Sequence, residues 1–307
     1  MKIKDLIIAG AGPAGLSAAI YGMRAGMDLA VIEKLAPGGQ VMTTYEVENY
    51  PGFAEPVPGW ELMSRMENQA RRLGADIRSS QIEGFAWNDA EKYFRVALAG
   101  GEMLGARAVI AATGASLMKL GVPGEADFTG RGVSYCATCD AAFFREKVTA
   151  VVGGGNTALE EAIYLTKFSS KVYLVHRRDQ FRGAKLLQQR VLENPRIVPV
   201  FDTVVTSING ELRVESVSTA NKKTGEAGTI AVDGVFIFVG YQPNTAWLPR
   251  GILAANGEVI VDMHMRTTMP GLFAAGDLRK DSIRQIVAAT ADGATAALSA
   301  YEYLESL

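Results

Sequence analysis

Short runs of consecutive apolar residues alternate along this chain with longer stretches in which apolar positions recur every three or four residues, and glycines mark many of the changeovers. A short apolar run bounded by turn residues is the pattern of a strand buried on both faces, and the longer spacing is that of an amphipathic helix. The pattern predicts strands at Asp5 to Ala9 and Leu29 to Glu33, with a helix over Pro13 to Ala25 between them. Pro13 is tolerated there because the first turn of a helix does not use its N–H. Together these form the start of a β-α-β unit. A long stretch rich in Gly, Pro and polar residues, Pro37 to Gly59, reads as a functional loop or cover. A helix over Glu61 to Leu73 follows, then a strand over Arg95 to Leu98. A further buried strand, Ala106 to Ala112, ends at Thr113-Gly114.

The same supersecondary unit recurs about 140 residues on, with a strand at Val148 to Val152, a helix over Asn156 to Lys167 and a strand at Lys171 to His176. Buried strands at Val235 to Val239 and Leu272 to Ala275 and a long Ala-rich helix, Ile286 to Leu304, complete the pattern. No low-complexity linker separates the two copies. The expected fold class is α/β, with two Rossmann-like nucleotide-binding domains.

Composition adds limits. A chain of 307 residues makes two domains of ordinary size, each large enough to bury a core without staples. The net charge of −2 argues against nucleic acid or an anionic membrane as partner. The N-terminus runs straight into the first strand, no signal-peptide pattern is visible, and no uninterrupted apolar run is long enough to span a bilayer. The expected location is the cytoplasm, where thiols are kept reduced, so a C-x-x-C there points to catalysis or metal binding rather than to a staple.

The first glycine turn, Gly10-Ala11-Gly12-Pro13-Ala14-Gly15, fits G-x-G-x-x-G between strand and helix. Gly10 permits the tight turn, Gly12 lets the backbone approach a pyrophosphate, and Gly15 lets helix and strand pack closely. The helix N-terminus offers free N–H groups to phosphates. Glu33 closes the second strand, where its carboxylate can accept from ribose hydroxyls. The second turn, Gly153 to Ala158, keeps the pattern with Ala158 in third place, but its second strand runs into His176-Arg177-Arg178-Asp179-Gln180-Phe181-Arg182. Three arginines stand where the first unit has an acid. Guanidiniums grip a 2′-phosphate that a carboxylate would repel, so this site is expected to prefer NADPH to NADH. A weaker signal is Asp277, after a buried strand and ahead of Arg284-Gln285; an acid there can accept from the ribityl chain of a flavin or merely cap a helix.

Cys136 and Cys139 are the only cysteines, in the run Ser134 to Asp140 between the two glycine turns. Zinc needs about four ligands, and the chain adds only His176 and His264, neither at finger spacing. A structural disulfide would close a tiny loop and be misplaced in the cytosol. The reading that fits is reversible dithiol–disulfide exchange, with Asp140 as the acid or base that manages thiol protons.

These residues resemble the low-molecular-weight, bacterial-type thioredoxin reductases, from Leu6 to Leu304. The matching runs are Gly10 to Gly15, Gly38 to Gln40, Glu46 to Gly52, Ala112 to Gly114, Cys136 to Asp140, Gly153 to Ala158, His176 to Arg182, Gly240 to Thr245, and Gly276-Asp277 with Arg284-Gln285. The resemblance implies a fold of the class II pyridine nucleotide-disulfide oxidoreductase type. It implies an FAD-binding domain made of residues 1–117 and 246–307, an inserted NADPH-binding domain of residues 118–245 that carries the dithiol, and a homodimer whose domains swing against each other. It places Cys139 toward the flavin, Cys136 in attack on the thioredoxin disulfide, and Asp140 in proton transfer. It assigns Gly10, Gly12, Pro13, Ala14, Gly15, Glu33, Gly39, Gln40, Asn49, Thr113, Gly114, Gly276, Asp277, Arg284 and Gln285 to FAD. Gly153, Gly155, Asn156, Thr157, Arg177, Arg178 and Arg182 fall to NADPH, and no residue to a metal.

Ala141 stands where the family usually has Gly after its dithiol Asp; Ala would be strained at positive φ but favoured in a helix. Phe143-Phe144 reads either as a partner-docking aromatic or as a core pair. His176 is expected to shape the nucleotide pocket, His264 to end a strand, and Lys222-Lys223 to form a solvated turn. Rival readings are a reductase on the same scaffold with another disulfide partner or fed by ferredoxin or flavin, and a non-catalytic FAD/NADPH redox sensor. The arginine cluster argues against the donor variant, and the lack of an effector module against the sensor.

Overall fold

The computed structural model describes residues 3–307 apart from Tyr45; the side chains of Thr43, Thr138 and Cys139 lie outside the described residues. The chain forms two compact units, Met1–Ser116 with Gln242–Leu307, and Leu117–Tyr241.

In the first unit the chain runs β1 (Ile3–Ala9), α1 (Pro13–Arg24), β2 (Leu29–Glu33), α2 (Gly59–Arg72), β3 (Asp76–Ser79), β4 (Ile82–Asn88), β5 (Tyr93–Leu98) and β6 (Met103–Ala111), leaves through β7 (Ala115–Leu117), and later adds β17 (Leu272–Ala274) and α6 (Ile286–Glu305). The sheet order is β3-β2-β1-β6-β5-β4, with β17 also paired to β6. Strands β3, β2, β1, β6 and β17 are parallel, while β4 and β5 fold on as antiparallel partners. Side chains alternate across β1: Leu6 and Ile8 join Ile110 under the helices, and Ile7 joins Val109 and Phe94 on the other face. Burial on both faces is why β1 reads as one apolar run. Helix α6 lies very close to α1, since a Cβ on Gly293 would come 2.0 Å from the Ala14 carbonyl oxygen. That approach explains the small-residue composition of α6, and it brings the loop after β17 to the first glycine turn.

The second unit contains β8 (Val133–Ser134), α3 (Ala137–Asp140), β9 (Val148–Gly153), α4 (Asn156–Leu165), β10 (Lys171–Val175), α5 (Lys185–Glu193), β11 (Ile197–Val200), β12 (Thr203–Gly210), β13 (Val214–Asn221), β14 (Ala227–Ala231) and β15 (Gly234–Phe238), and ends in β16 (Tyr241–Pro243). Its parallel sheet has the order β11-β10-β9-β15-β8. Val151 and Phe236 face α4, and Ala150, Val152, Val235 and Ile237 face an antiparallel sheet, β12-β13-β14, through Val205, Ile208 and Val217. That three-stranded sheet is absent from the sequence reading, because Ser, Thr and Asn hold most of its outward positions and dilute the apolar signal.

Other departures are local. The Pro37 to Gly59 loop holds a 3-10 turn, Gly39–Thr43, and a bridge between Val47 and Val57, and α2 begins at Gly59. His264 does not end a strand: it sits in a turn whose N–H groups at His264 and Arg266 both donate to Asp262 Oδ1, each at 2.9 Å. Ala141 opens a 3-10 turn, Ala141–Phe144, and is not a positive-φ residue, so it replaces Gly without strain.

Candidate active site

The first glycine turn is built from backbone constraints. Gly10 has φ +103°, and a Cβ there would lie 2.4 Å from the Ala112 carbonyl oxygen. A Cβ on Gly15 would lie 1.8 Å from the Gly10 oxygen. Gly12, the N-cap of α1, is different: a Cβ on it meets no protein atom within 4 Å. The protein thus leaves open space against the free N-terminus of a helix, a cradle suited to a pyrophosphate. Gly39 has φ +59°, and a Cβ on it would lie 3.4 Å from the Gly12 Cα. Glu33 is fixed by the turn itself, its Oε2 accepting from Ala11 N–H at 2.7 Å and its Oε1 from Leu35 N–H at 2.9 Å. The remaining lone pairs of both oxygens are available to ribose hydroxyls.

Around this turn the unit assembles the other expected flavin contacts. Asn49 Nδ2 donates to Gln285 Oε1 at 2.9 Å, so two residues 236 positions apart meet. Gln40 donates to the Ala115 carbonyl. Asp277 is half-buried and its carboxyl is raised above the usual range by burial, against the pull of Arg284 and Ser282. Arg284 pairs with Glu258 at 2.8 Å and has φ +52°.

Two residues that sequence reasoning missed hold these segments. Asn244 donates from Nδ2 to the Thr113 carbonyl at 2.9 Å and accepts from the Thr113 hydroxyl at its own carbonyl at 2.8 Å. Asp292, on α6, accepts from Gly276 N–H at 3.1 Å and from both Nε and Nη2 of Arg279 at 2.6 and 3.0 Å. The visible signal was an acid inside an Ala-rich helix.

The second unit repeats the logic. A Cβ on Gly153 would meet the Phe238 carbonyl oxygen at 2.4 Å, while one on Gly155, the N-cap of α4, would meet nothing within 4 Å. Gly154 is hemmed in by His176, whose Nδ1 would lie 2.3 Å from an added Cβ. His176 is buried, its Nε2 has no partner among the described residues, and burial followed by the charge of Arg182 lowers its proton affinity; a neutral ring packs beneath the turn. Arg177, Arg178 and Arg182 are exposed at this edge, and Arg182 N–H donates to the Gly154 carbonyl at 2.7 Å. Asn156 Oδ1 accepts from Ala184 N–H at 2.7 Å, and the Thr157 and Tyr241 hydroxyls lie 2.7 Å apart. Lys223 belongs to this edge too, 3.0 Å from Asp202 and 3.5 Å from Asp179.

Cys136 is disulfide-bonded, and Cys139 is the only other cysteine of the chain; the side chain of Cys139 lies outside the described residues. The strand leading into Cys136 is held by a carboxylate that the sequence did not reveal. Glu125 is 3% exposed and accepts from the Tyr135 hydroxyl at 2.7 Å and from Leu120 and Gly121 N–H. Burial pushes its carboxyl up, but the Tyr135 and backbone hydrogen bonds outweigh that and leave it below the ordinary value. Ser134 Oγ accepts from Cys136 N–H at 3.0 Å. Beyond the dithiol the aromatic pair splits: Phe144 is buried against Phe236 at 5.2 Å, and Phe143 is 73% exposed. Phe143 lines a cavity of about 220 Å³ with Arg131, Ser134, Asp140, Lys147 and Asp233. Among the described residues no group of three or more His, Cys, Asp or Glu is placed to hold a metal ion, and no helix is long and apolar enough to cross a membrane.

Residues 4–293 match the family described as pyridine nucleotide-disulphide oxidoreductase. The chain is 44% identical to a thioredoxin reductase of Treponema pallidum over 99% of its length and 98% of the relative's. It is 45% identical to one of Bacillus subtilis over 100% of its length and 96% of the relative's. A crystal structure of Lactococcus lactis thioredoxin reductase superposes with a TM-score of 0.96 at 40% identity, covering 99% of this chain and 100% of that one. Two glycine turns that each leave a helix N-terminus open, with a disulfide-bonded cysteine between them in sequence, are what this likeness requires, and the chain belongs to the thioredoxin reductases of the pyridine nucleotide-disulphide oxidoreductase family.

Proposed function

We propose that this chain is an NADPH-dependent flavoprotein that reduces the disulfide of thioredoxin through the Cys136–Cys139 pair. The observation that carries this is the disulfide at Cys136 in a C-x-x-C run on the unit whose glycine turn ends at an arginine edge. FAD and NADPH, when bound, supply the hydride chemistry. Gly10, Gly12, Pro13, Ala14 and Gly15 hold the FAD pyrophosphate, Glu33 the ribose, and Gly39, Gln40, Asn49, Thr113, Gly114, Gly276, Asp277, Arg284 and Gln285 the rest of the flavin nucleotide. Gly153, Gly155, Asn156 and Thr157 hold the NADPH pyrophosphate, and Arg177, Arg178 and Arg182 its 2′-phosphate. The open space at Gly12 and at Gly155 supports both placements.

In the reduced dithiol, the Cys136 sulfur attacks one sulfur of the thioredoxin disulfide. A mixed disulfide forms and the first thioredoxin thiolate leaves. The Cys139 sulfur then attacks Cys136, closes the Cys136–Cys139 disulfide and releases the second thiolate, so two protons and two electrons pass to thioredoxin. Asp140 gives or takes the proton of the departing sulfur. The exposed Phe143 offers thioredoxin an apolar anchor at a rim of mixed charge, where Arg131 and Lys147 stand beside Asp140 and Asp233. The homodimer implied by the resemblance and the cytoplasmic location expected from the sequence belong to the same proposal, and sedimentation of the purified protein checks the first.

The test is oxidation of NADPH and of NADH by the FAD-loaded protein with and without oxidised thioredoxin. Consumption that prefers NADPH and requires thioredoxin is expected. Flavin reduction without turnover on thioredoxin would redirect the search to another disulfide partner, and indifference between NADPH and NADH would remove the role given to the arginines.

A further inference from the structure

Glu161 has no part in the reaction above, yet its carboxyl is buried beside the dithiol turn. It lies on α4, four residues beyond Thr157, so the helix that begins at the second glycine turn also reaches α3. The carboxyl accepts a hydrogen bond from the backbone N–H of Ala137, the residue after Cys136. Its Oε2 is closed to solvent and has no hydrogen-bond partner among the described residues. A buried acceptor left open in this way calls for an explanation, and a functional one is available when the group abuts the turn that carries the reacting atoms. Among the described residues, Ala137, Val151, Leu174, Val191 and Phe236 make the apolar cluster around α4. The titratable groups on those elements are the two cysteines and Asp140 on the dithiol turn, Glu160 and Tyr164 on the same helix, and Lys185, Arg190 and Glu193 on the exposed face of α5, with Lys171 and Tyr173 on β10. Burial, with the charge of Glu160 adding to it, pushes the Glu161 carboxyl up to about 7.

We propose that Glu161 is a positioning residue for the redox couple: it anchors the dithiol turn through the Ala137 N–H and takes up a proton as the turn is reduced. This rests on the reading of Cys136 and Cys139 as that couple. Reduction by two electrons from NADPH breaks the S–S bond, and two protons balance the two sulfur charges when both become thiols. Where one sulfur stays a thiolate, its charge opposes a carboxylate at Glu161. Where Glu161 is ionised in the oxidised state, the proton that the sulfur does not hold goes to Glu161 and the total uptake is still two; where Glu161 is already protonated, the uptake is one. The reduced turn therefore binds the Glu161 proton more tightly than the oxidised turn does, and by linkage a charged Glu161 disfavours reduction.

The experiment is the midpoint potential of the Cys136–Cys139 couple in the full-length, FAD-loaded protein, set by dithiothreitol buffers and read by thiol alkylation, between about pH 6 and pH 8. Glu161→Gln keeps the acceptor for Ala137 N–H but cannot ionise. Its potential is expected to match the native one near pH 6 and to lie above it near pH 8. A tenfold change in the equilibrium constant reads as about 30 mV for this two-electron couple. Glu161→Ala removes the acceptor as well and is expected to depart at both pH values; if it does not fold, the Gln variant alone decides. A native potential and pH slope in Glu161→Gln would overturn the proposal. Cys139→Ser serves as the separate control: continued thioredoxin reduction by that variant would refute the dithiol reading itself, whereas its loss alongside unmoved Glu161 variants would refute only the role of Glu161.

Discussion

Replacing Gly12 and Gly15 by Ala separates what the first turn does for the fold from what it does for the ligand. A Cβ at Gly15 would stand 1.8 Å from the Gly10 oxygen, well inside the 3.4 Å at which ordinary contact begins, and the obstacle is backbone on both sides. Relief requires α1 to move away from β1, at a cost of about 3 kcal/mol or more. A Cβ at Gly12 meets nothing. Its cost to the apoprotein is about 0.5–1 kcal/mol, the difference between Gly and Ala at a helix N-cap. The same methyl occupies the space assigned to the pyrophosphate, where one charge-assisted hydrogen bond is worth about 1.5–3 kcal/mol, or roughly 10- to 150-fold in affinity. The assay is chemical denaturation of the flavin-free proteins beside fluorescence titration with FAD. Gly12→Ala should unfold close to wild type and bind FAD at least tenfold more weakly, and Gly15→Ala should be destabilised before any ligand is added. Native FAD affinity in Gly12→Ala, or an apoprotein as unstable as Gly15→Ala, would refute the reasoning.

Arg178→Ala should lower kcat/KM for NADPH roughly 10-fold, the lower end for an exposed charge-assisted contact, leave NADH unchanged, and lose its effect at high salt. Asp292→Ala strands the largely buried Arg279 guanidinium and frees Gly276; unfolding of the first unit should show a loss of about 3 kcal/mol together with weaker FAD retention. Glu125 sits below its ordinary value, so its stabilisation is full above about pH 4.5 and lost as pH falls through the depressed value; Glu125→Gln should flatten the acid limb of a stability–pH curve. Glu161 has the opposite sign. Its contribution is full below about pH 4.5 and lost as pH rises through about 7, so Glu161→Gln should be the more stable protein at pH 8 by up to about 3 kcal/mol in denaturant titrations.

What was legible in the sequence shares one property: its determinants lie within about thirty residues of one another. Gly10 to Glu33 and Gly153 to Arg182 each encode strand, turn, helix and ribose edge in a single β-α-β segment, so the turns and their differing partners could be read before any tertiary contact was known. The Cys136–Cys139 spacing is as local. The residues that went unread act across distance. Asn244 reaches Thr113 over 131 positions. Asn49 and Gln285 were named only through the family resemblance, and their meeting over 236 positions could not be read from local pattern. Asp292 and Arg279 are only 13 apart, but a loop and a helix separate them and no periodicity links them. Glu125 and Tyr135 face each other across the turns that lead into β8, where neither lies on a patterned element. Glu161 was invisible for another reason. It stands three residues after Ala158 and four before Leu165, at the edge of the buried stripe of α4, where a lone acid in sequence reads as a surface residue, and its contact with the Ala137 N–H shows only once α3 is in place.

The central claim is that electrons leave through sulfur at Cys136 and Cys139, and Cys139→Ser tests it most directly. That variant should keep FAD, still have its flavin reduced by NADPH, and lose thioredoxin-dependent NADPH oxidation by a factor of about 1,000 or more. Turnover on thioredoxin near the wild-type rate in that variant would contradict it.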